Sequence, residues 1–327
     1  MPSKSLHNVT AVPIKGPPFY IYRMTRLISI VAGLAMLLSA CSSDSGHVAR
    51  KHFLWKVSDS NSSVFLLGSV HFADPSFYPL DSVIENAFKA SSHLAVEVDV
   101  SNDSVVTEIA TQSQKFAALE EGRTLSGILP DNVKGPLDSL CRSWNISCEN
   151  LDKLRPWAAA MTLLAVGIQF LGLDAELGID VHFLQQAHAQ GKGIIALETV
   201  EEQVAALAGM GANDSVGMYY LKSVLHEIGI LDSMIAGYME AWKAGDDSLF
   251  AATMEMEFSL GDKTDSLLER EILERIYFSR NRKMAEAVSE FLEKDKSVFA
   301  VVGAAHLVGK ESVVENLRRH GYKVVKM

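Results

Sequence analysis

Residues 63–80 read SVFLLGSVHFADPSFYPL, and residues 297–309 read SVFAVVGAAHLVG. Both begin as a short run of Val, Leu, Phe and Ala, and both end in Gly-x-x-His: Gly68-Ser69-Val70-His71 and Gly303-Ala304-Ala305-His306. A short apolar run bounded by glycine fits a strand buried on both faces, as in a parallel sheet. An imidazole at the end of such a strand is costly to bury without a partner. The two histidines therefore raise the question of what they face.

Working outward, FLWKV and VFLLG flank the turn SDSNSS, a hairpin feeding the first buried strand. PLDSVIENAFKAS has apolar residues at helical spacing with Asp81 near its start, and HLAVEVD reads as the next strand. Strand, helix and strand with short connections is the form of a parallel βαβ unit. Residues 101–191 are expected to be mainly helical, with Pro130, Pro136 and Pro156 at helix starts or breaks. WAAAMTLLAVGIQFLG is too short to span a membrane and reads as a buried helix. GIIALET is a further strand, residues 201–294 are again helical, and SVFAVVG, a helix and YKVVKM close the chain. The fold class is α/β: a mostly parallel sheet from two βαβ-type halves with a large helical insertion between them.

The 327 residues carry a formal charge of −10, which offers no basic groove for nucleic acid. Arg23 and Arg26 precede the apolar stretch LISIVAGLAMLL, followed by Leu38-Ser39-Ala40-Cys41. This pattern resembles a bacterial lipoprotein signal. It implies lipidation of Cys41, and Ser42 in place of Asp implies the outer membrane, facing the periplasm. Residues 1–23 read as an upstream extension, 24–40 as the signal peptide, 41–52 as a tether and 53–327 as the domain. Removing residues 1–40 takes the formal charge to −14. Cys141 and Cys148 would lie about 10 Å apart on one helix, too far to bridge. If Asn145 ends that helix the chain can fold back, which leaves a disulfide and two inert thiols equally open.

The chemistry collects at strand ends. One strand ends in His71, another carries Glu97 and Asp99, a third ends in Glu198 and the last long one in His306. Ligands of parallel α/β sheets bind beyond the carboxyl ends of the strands. Two neutral imidazoles and one or two carboxylates form a divalent-metal set. The glycine before each histidine would let the chain turn off the strand and approach a bound group. Glu198 could instead cap the helix that follows it, and Asp180 reads more readily as an N-cap than as a ligand. Arg280, Asn281 and Arg282 start a helix, either as a solvated basic patch or with a guanidinium that anchors a carboxylate or a carbonyl oxygen. His52, His93, His182, His188, His226 and His320 are discounted as surface or half-buried residues.

LWKVSDSNSSVFLLGSVHFADPSFYPL, VEVD, LRPWAAA, GIDVHFL, ALETVEEQ, SRNRKMA and VFAVVGAAHLVG, in that order, resemble the TraB/GumN family, which includes the Tiki proteins. The resemblance implies a metal-dependent protease using manganese or cobalt, with zinc also compatible with the donor set. His71, His306 and Glu97 occupy the metal positions, and Arg280 and Asn281 the Arg-Asn pair. A wider kinship implies a core shared with erythromycin-esterase-like hydrolases and a haem-binding lipoprotein, and such a core does not fix the reaction. Ser69 stands where many members have Thr, and Ala305 where many have Gly. The leading expectation is an envelope lipoprotein that hydrolyses peptide bonds. The alternative is a non-catalytic receptor for haem, metal or peptide.

Overall fold

The computed structural model describes residues 51–209, 214–258 and 266–327. The expected signal peptide, Cys41 and the expected tether up to residue 50 lie outside the described residues. Six strands form one sheet: β1 (Leu54–Ser58), β2 (Ser63–Ser69), β3 (His93–Val96), β4 (Gly193–Ala196), β5 (Val298–Gly303) and β6 (Lys323–Lys326), in the order β4-β3-β5-β2-β1-β6. β4, β3, β5 and β2 are mutually parallel, and β1 runs antiparallel to both β2 and β6.

The β1–β2 hairpin is closed locally. Asp59 Oδ1 accepts from the Asn61 and Ser62 amides at 2.8 and 2.7 Å, a side-chain mimic of a backbone turn. The helix Ser82–Ala90 is capped by Asp81, which accepts from the Val83 amide. It leads to β3, but β3 does not lie beside β2. β5 sits between them, with Ser69 paired to Gly303 and Val96 to Val301. The two halves of the chain thus interleave within one sheet. All six residues of β5 are buried, as expected for the central strand of a covered parallel sheet. Phe88, Phe183 and Phe299 pack with ring centroids 4.9–5.5 Å apart on one face of it.

Gly68 has a different use from the one its sequence context suggests. It lies inside β2 and its φ is not positive. A Cβ there would stand 3.0 Å from Ala304 Cα and 3.0 Å from Phe53, so the glycine admits the chain that carries His306. Its carbonyl accepts from Trp242 Nε1 at 2.7 Å.

The helices between β3 and β5 build a second apolar cluster, with Leu125, Val133, Leu137, Leu163 and Leu221 at its centre. Pro136 lies inside the helix Asp131–Trp144 and does not break it; Pro130 and Pro156 stand at helix starts. Asn145 ends that helix in the left-handed conformation (φ 55°), and the returning chain brings Cys148 to Cys141 with a Cα separation of 5.7 Å. The two form a disulfide. The helix Pro156–Phe170 buries Trp157, the three alanines after it and Leu163, while Phe170 is exposed. Among the described residues no helix is long and apolar enough to cross a membrane.

A closed loop of this length implies that removing the Cys141–Cys148 crosslink costs about 2–3 kcal/mol on the loop-entropy account. We expect the Cys141→Ser/Cys148→Ser variant to unfold at lower denaturant than the oxidised protein. An unchanged midpoint in reversible urea unfolding would show that the crosslink adds nothing.

Candidate functional site

Because β2, β3, β4 and β5 are parallel, their carboxyl ends open on one edge of the sheet. His71 follows β2 by two residues, Glu97 follows β3 directly, Glu198 follows β4 by two, and His306 lies in the 3-10 turn Ala304–Leu307 after β5. The helix Ser279–Glu293 closes the group from the side with Arg280 and Asn281, and a π-helical turn, Glu274–Phe278, runs directly into it.

Glu97 is buried at the centre. Its Oε1 accepts from the Gly303 amide at 2.7 Å and its Oε2 from Arg280 Nη2 at 2.6 Å. Burial alone would raise its pKa, but the neighbouring His306, His71 and Arg280 and the Gly303 N–H bring it down to about 2. Arg280 also grips Glu198 with two parallel bonds of 2.8 and 2.7 Å, and donates to the Ile276 carbonyl at 2.9 Å. Burial works against its charge, yet the two carboxylates hold its pKa above the usual value.

Each imidazole is oriented from behind. Asn281 Nδ2 donates to the Glu311 carbonyl at 2.8 Å, so its Oδ1 is the end that meets His306 Nδ1 at 2.5 Å. His306 Nδ1 therefore carries the hydrogen. Its Nε2 points a lone pair toward Glu97 Oε1, 3.9 Å away. Burial lowers the His306 pKa to about 4 against the pull of the Glu97 charge, so the ring is neutral at physiological pH. His71 Nδ1 donates to Asp180 Oδ2 at 3.2 Å, and its Nε2 stands 4.0 Å from the same Glu97 oxygen. The protein packed around His71 would lower its pKa even though one face of the ring is exposed, but the hydrogen bond and charge of Asp180, with the charge of Glu97, raise it to about 9.

His71, Glu97, Glu198, Arg280, Asn281 and His306 thus meet at one rim. Asp99 does not join them. β3 ends at Val96, so strand alternation no longer applies at residue 99, and Asp99 accepts instead from the Ser101 amide at 3.1 Å. Asp180 is not an N-cap either. It lies in the first turn of the helix Ile179–Gln190, whose N-cap is Gly178, and its Oδ1 accepts from Ser69 Oγ at 2.9 Å. Glu198 leaves capping to Thr199, which forms a reciprocal box with Glu202. His182 is held against Glu85 at 3.3 Å, and His188 against Ser101.

Among the described residues no group of three or more His, Cys, Asp or Glu side chains stands at metal-holding distances. Two ligands each roughly 2.0–2.1 Å from one ion lie about 3–3.4 Å apart at tetrahedral or octahedral angles. The separations of 3.9 and 4.0 Å exceed that by roughly half an ångström. The donor chemistry nonetheless fits a cation: a carboxylate oxygen is approached by two Nε2 atoms, each fixed by a partner on its Nδ1, the usual outer support of a metal histidine. Gly303 leaves the space between them open. A Cβ there would lie 3.1 Å from His71 Nε2 and 3.4 Å from Glu97 Oε1. With φ −52° that glycine serves close approach and not an unusual backbone turn.

The TraB/PrgY/gumN family model matches residues 53–326. The chain belongs to this family. Its relatives include the uncharacterized protein YbaP of Escherichia coli K12, 32% identical over 160 residues, which are 48% of this chain and 57% of that protein. The chain thus spans little more than half of that relative. A metalloprotease TIKI homolog of Amphimedon queenslandica is 20% identical across 92% of this chain and 67% of its own length. The human metalloprotease TIKI1 is 25% identical across 83% of this chain and 61% of its own. No solved structure matches the chain.

Within this TraB/PrgY/gumN site, sequence reasoning missed the part played by Asp180. The signal was available in Ser69-Val70-His71, because the hydroxyl and the imidazole both need an acceptor and GIDVHFL supplies one. A raised folded-state pKa on His71 stabilises the protein fully below about 6.5, and that contribution is lost as pH rises through about 9. In chelator-treated Asp180→Asn protein we expect the His71 pKa to fall from about 9 toward the ordinary 6.5. NMR titration of the imidazole reads this directly, and an unmoved pKa would refute the assignment.

Proposed function

We propose that this chain is a metal-dependent hydrolase of peptide bonds, carried as a lipoprotein on the bacterial cell envelope. The observation that carries the reading is the pair of Nε2 atoms converging on Glu97 Oε1 beneath Gly303, which has no side chain to fill the gap. The metalloprotease relatives support the choice of peptide bonds.

His71, His306 and Glu97 would hold a divalent ion, with manganese, cobalt and zinc all compatible with the donors. Bound there, the ion supplies Lewis acidity and water of lowered pKa. Asp180 and Asn281 fix the imidazole orientations. Glu97 has only Oε1 to offer, as ligand or as proton acceptor, because Oε2 is committed to Arg280. Four of the five guanidinium N–H groups of Arg280 go to Glu97, Glu198 and Ile276. Arg280 is therefore a positioning residue for Glu97, and Glu198 in turn for Arg280. The fifth N–H is the one that could meet a carbonyl oxygen. Cys41, after the short apolar run, would take the lipid and hold the domain at the outer membrane, where peptide substrates reach it from the periplasm.

Protein purified without chelator should carry about one divalent ion per chain by elemental analysis, and the His71→Ala/His306→Ala variant none. Hydrolysis of a mixed peptide digest should fall at least 100-fold in that variant. Equal metal content and equal hydrolysis in both proteins would end the proposal.

Gly303→Ala offers a gentler test. Its φ suits alanine, so the melting temperature should hold within a few degrees while metal content falls at least tenfold. Full metal content in a folded Gly303→Ala protein would place the ion elsewhere.

Cys41→Ser should move the protein from the membrane fraction to the soluble fraction. Continued membrane recovery of that variant would refute the lipid anchor.

A further inference from the structure

The rim opens into a cavity of about 400 Å³, within the range of small-ligand sites. His71, Glu97, Arg280 and His306 line one end of it, and every one of these charges or imidazoles is already engaged. Arg280 is bound to two carboxylates, His71 to Asp180 and His306 to Asn281. The other walls come from separate elements. Ile235 and Met239 lie one turn apart on the helix Leu231–Ala244, Leu207 lies on Val200–Ala208, and Ile276 lies on the π-helical turn. Ile168 and Leu173 add the end of the Pro156–Phe170 helix and the loop after it. None of these walls brings a charged group, and Gln203, Tyr238 and Tyr277 add only neutral polar atoms.

Resting on the hydrolase reading above, we infer that this cavity is a substrate subsite that takes a bulky uncharged apolar side chain of the peptide, beside the bond to be cut. A charged side chain would lose its water, and the rim charges it could meet, Arg280 with Glu97 and Glu198 and His71 with Asp180, are already paired with one another. An apolar side chain releases water from Ile235, Met239 and Leu207 at the same time as its own. All three residues are half-buried and line the cavity. Ile235, Met239 and Leu207 are thereby specificity-determining, and the rim residues are indifferent to that side chain.

The test uses the full-length protein, immobilised, and a degenerate pool of blocked hexapeptides. Retained peptides are sequenced by mass spectrometry. The His306→Ala variant is included so that binding is read without turnover. We expect Leu, Ile, Met or Phe to be enriched at least tenfold over Asp, Glu and Lys at one position, in both wild-type and His306→Ala protein. The enrichment should disappear in Met239→Glu and in Ile235→Glu, and persist in Met239→Leu. Circular dichroism melting accompanies each variant, and only those with wild-type melting are compared; two acidic variants at different positions guard against the loss of one.

Charged residues retained as often as apolar ones would overturn the inference. So would an enrichment unchanged in a folded Met239→Glu or Ile235→Glu protein. An apolar enrichment without any hydrolysis by wild-type protein would uphold the subsite and refute the hydrolase reading instead.

Discussion

A carboxylate in a nearly dry place holds this structure's rim together. Glu97 follows β3, receives a backbone hydrogen bond from the end of β5, and receives the guanidinium of the Ser279–Glu293 helix. Removing only one partner from such a buried arrangement leaves an uncompensated charge, which costs far more than the pair itself contributes. Glu198 supplies the second negative charge that a guanidinium with five donors can satisfy. Strand ends, helix and turn are thus locked into one register by charge pairing. The apolar core beneath supplies the stability.

The two imidazoles are not equivalent. His306 is 5% exposed at its side chain and held by a neutral amide, whereas His71 is 50% exposed and held by a carboxylate. One ring is fixed by burial, and the other keeps a solvent face and room to adjust. A fixed donor opposite a movable one suits a site whose contacts must tighten by a fraction of an ångström around a guest. The same asymmetry places the accessible side of the rim over His71.

Much of this was legible in the sequence. The apolar runs ending in His71 and His306, and the Glu97 that follows HLAV, stand out because polar groups at the ends of buried strands need partners. The hairpin turn at Asp59 and the helix end at Asn145 follow from local backbone chemistry. What could not be read depended on partners distant in sequence. An aspartate near a helix start looks the same whether it caps the helix or reaches a histidine beyond another strand, so the sequence around Asp180 reads as a cap. Asp99 reads as part of the strand that carries Glu97, but that strand stops at Val96. The glycine at 68 serves a chain segment more than two hundred residues later, and nothing local announces that.

The strand order has a bearing on how the molecule comes into being. β5 fills the centre of the sheet yet is made after β1, β2, β3 and β4, more than two hundred residues later than β2. Until it arrives, β2 and β3 face a gap with open backbone on both sides, and no rim exists to receive anything. Such late, long-range pairing is slow and leaves sticky edges exposed. A ribosome that stops before β5, or a protease that removes it, therefore yields a fragment without this rim. The rim is completed all at once, by the last strand to be inserted at the centre.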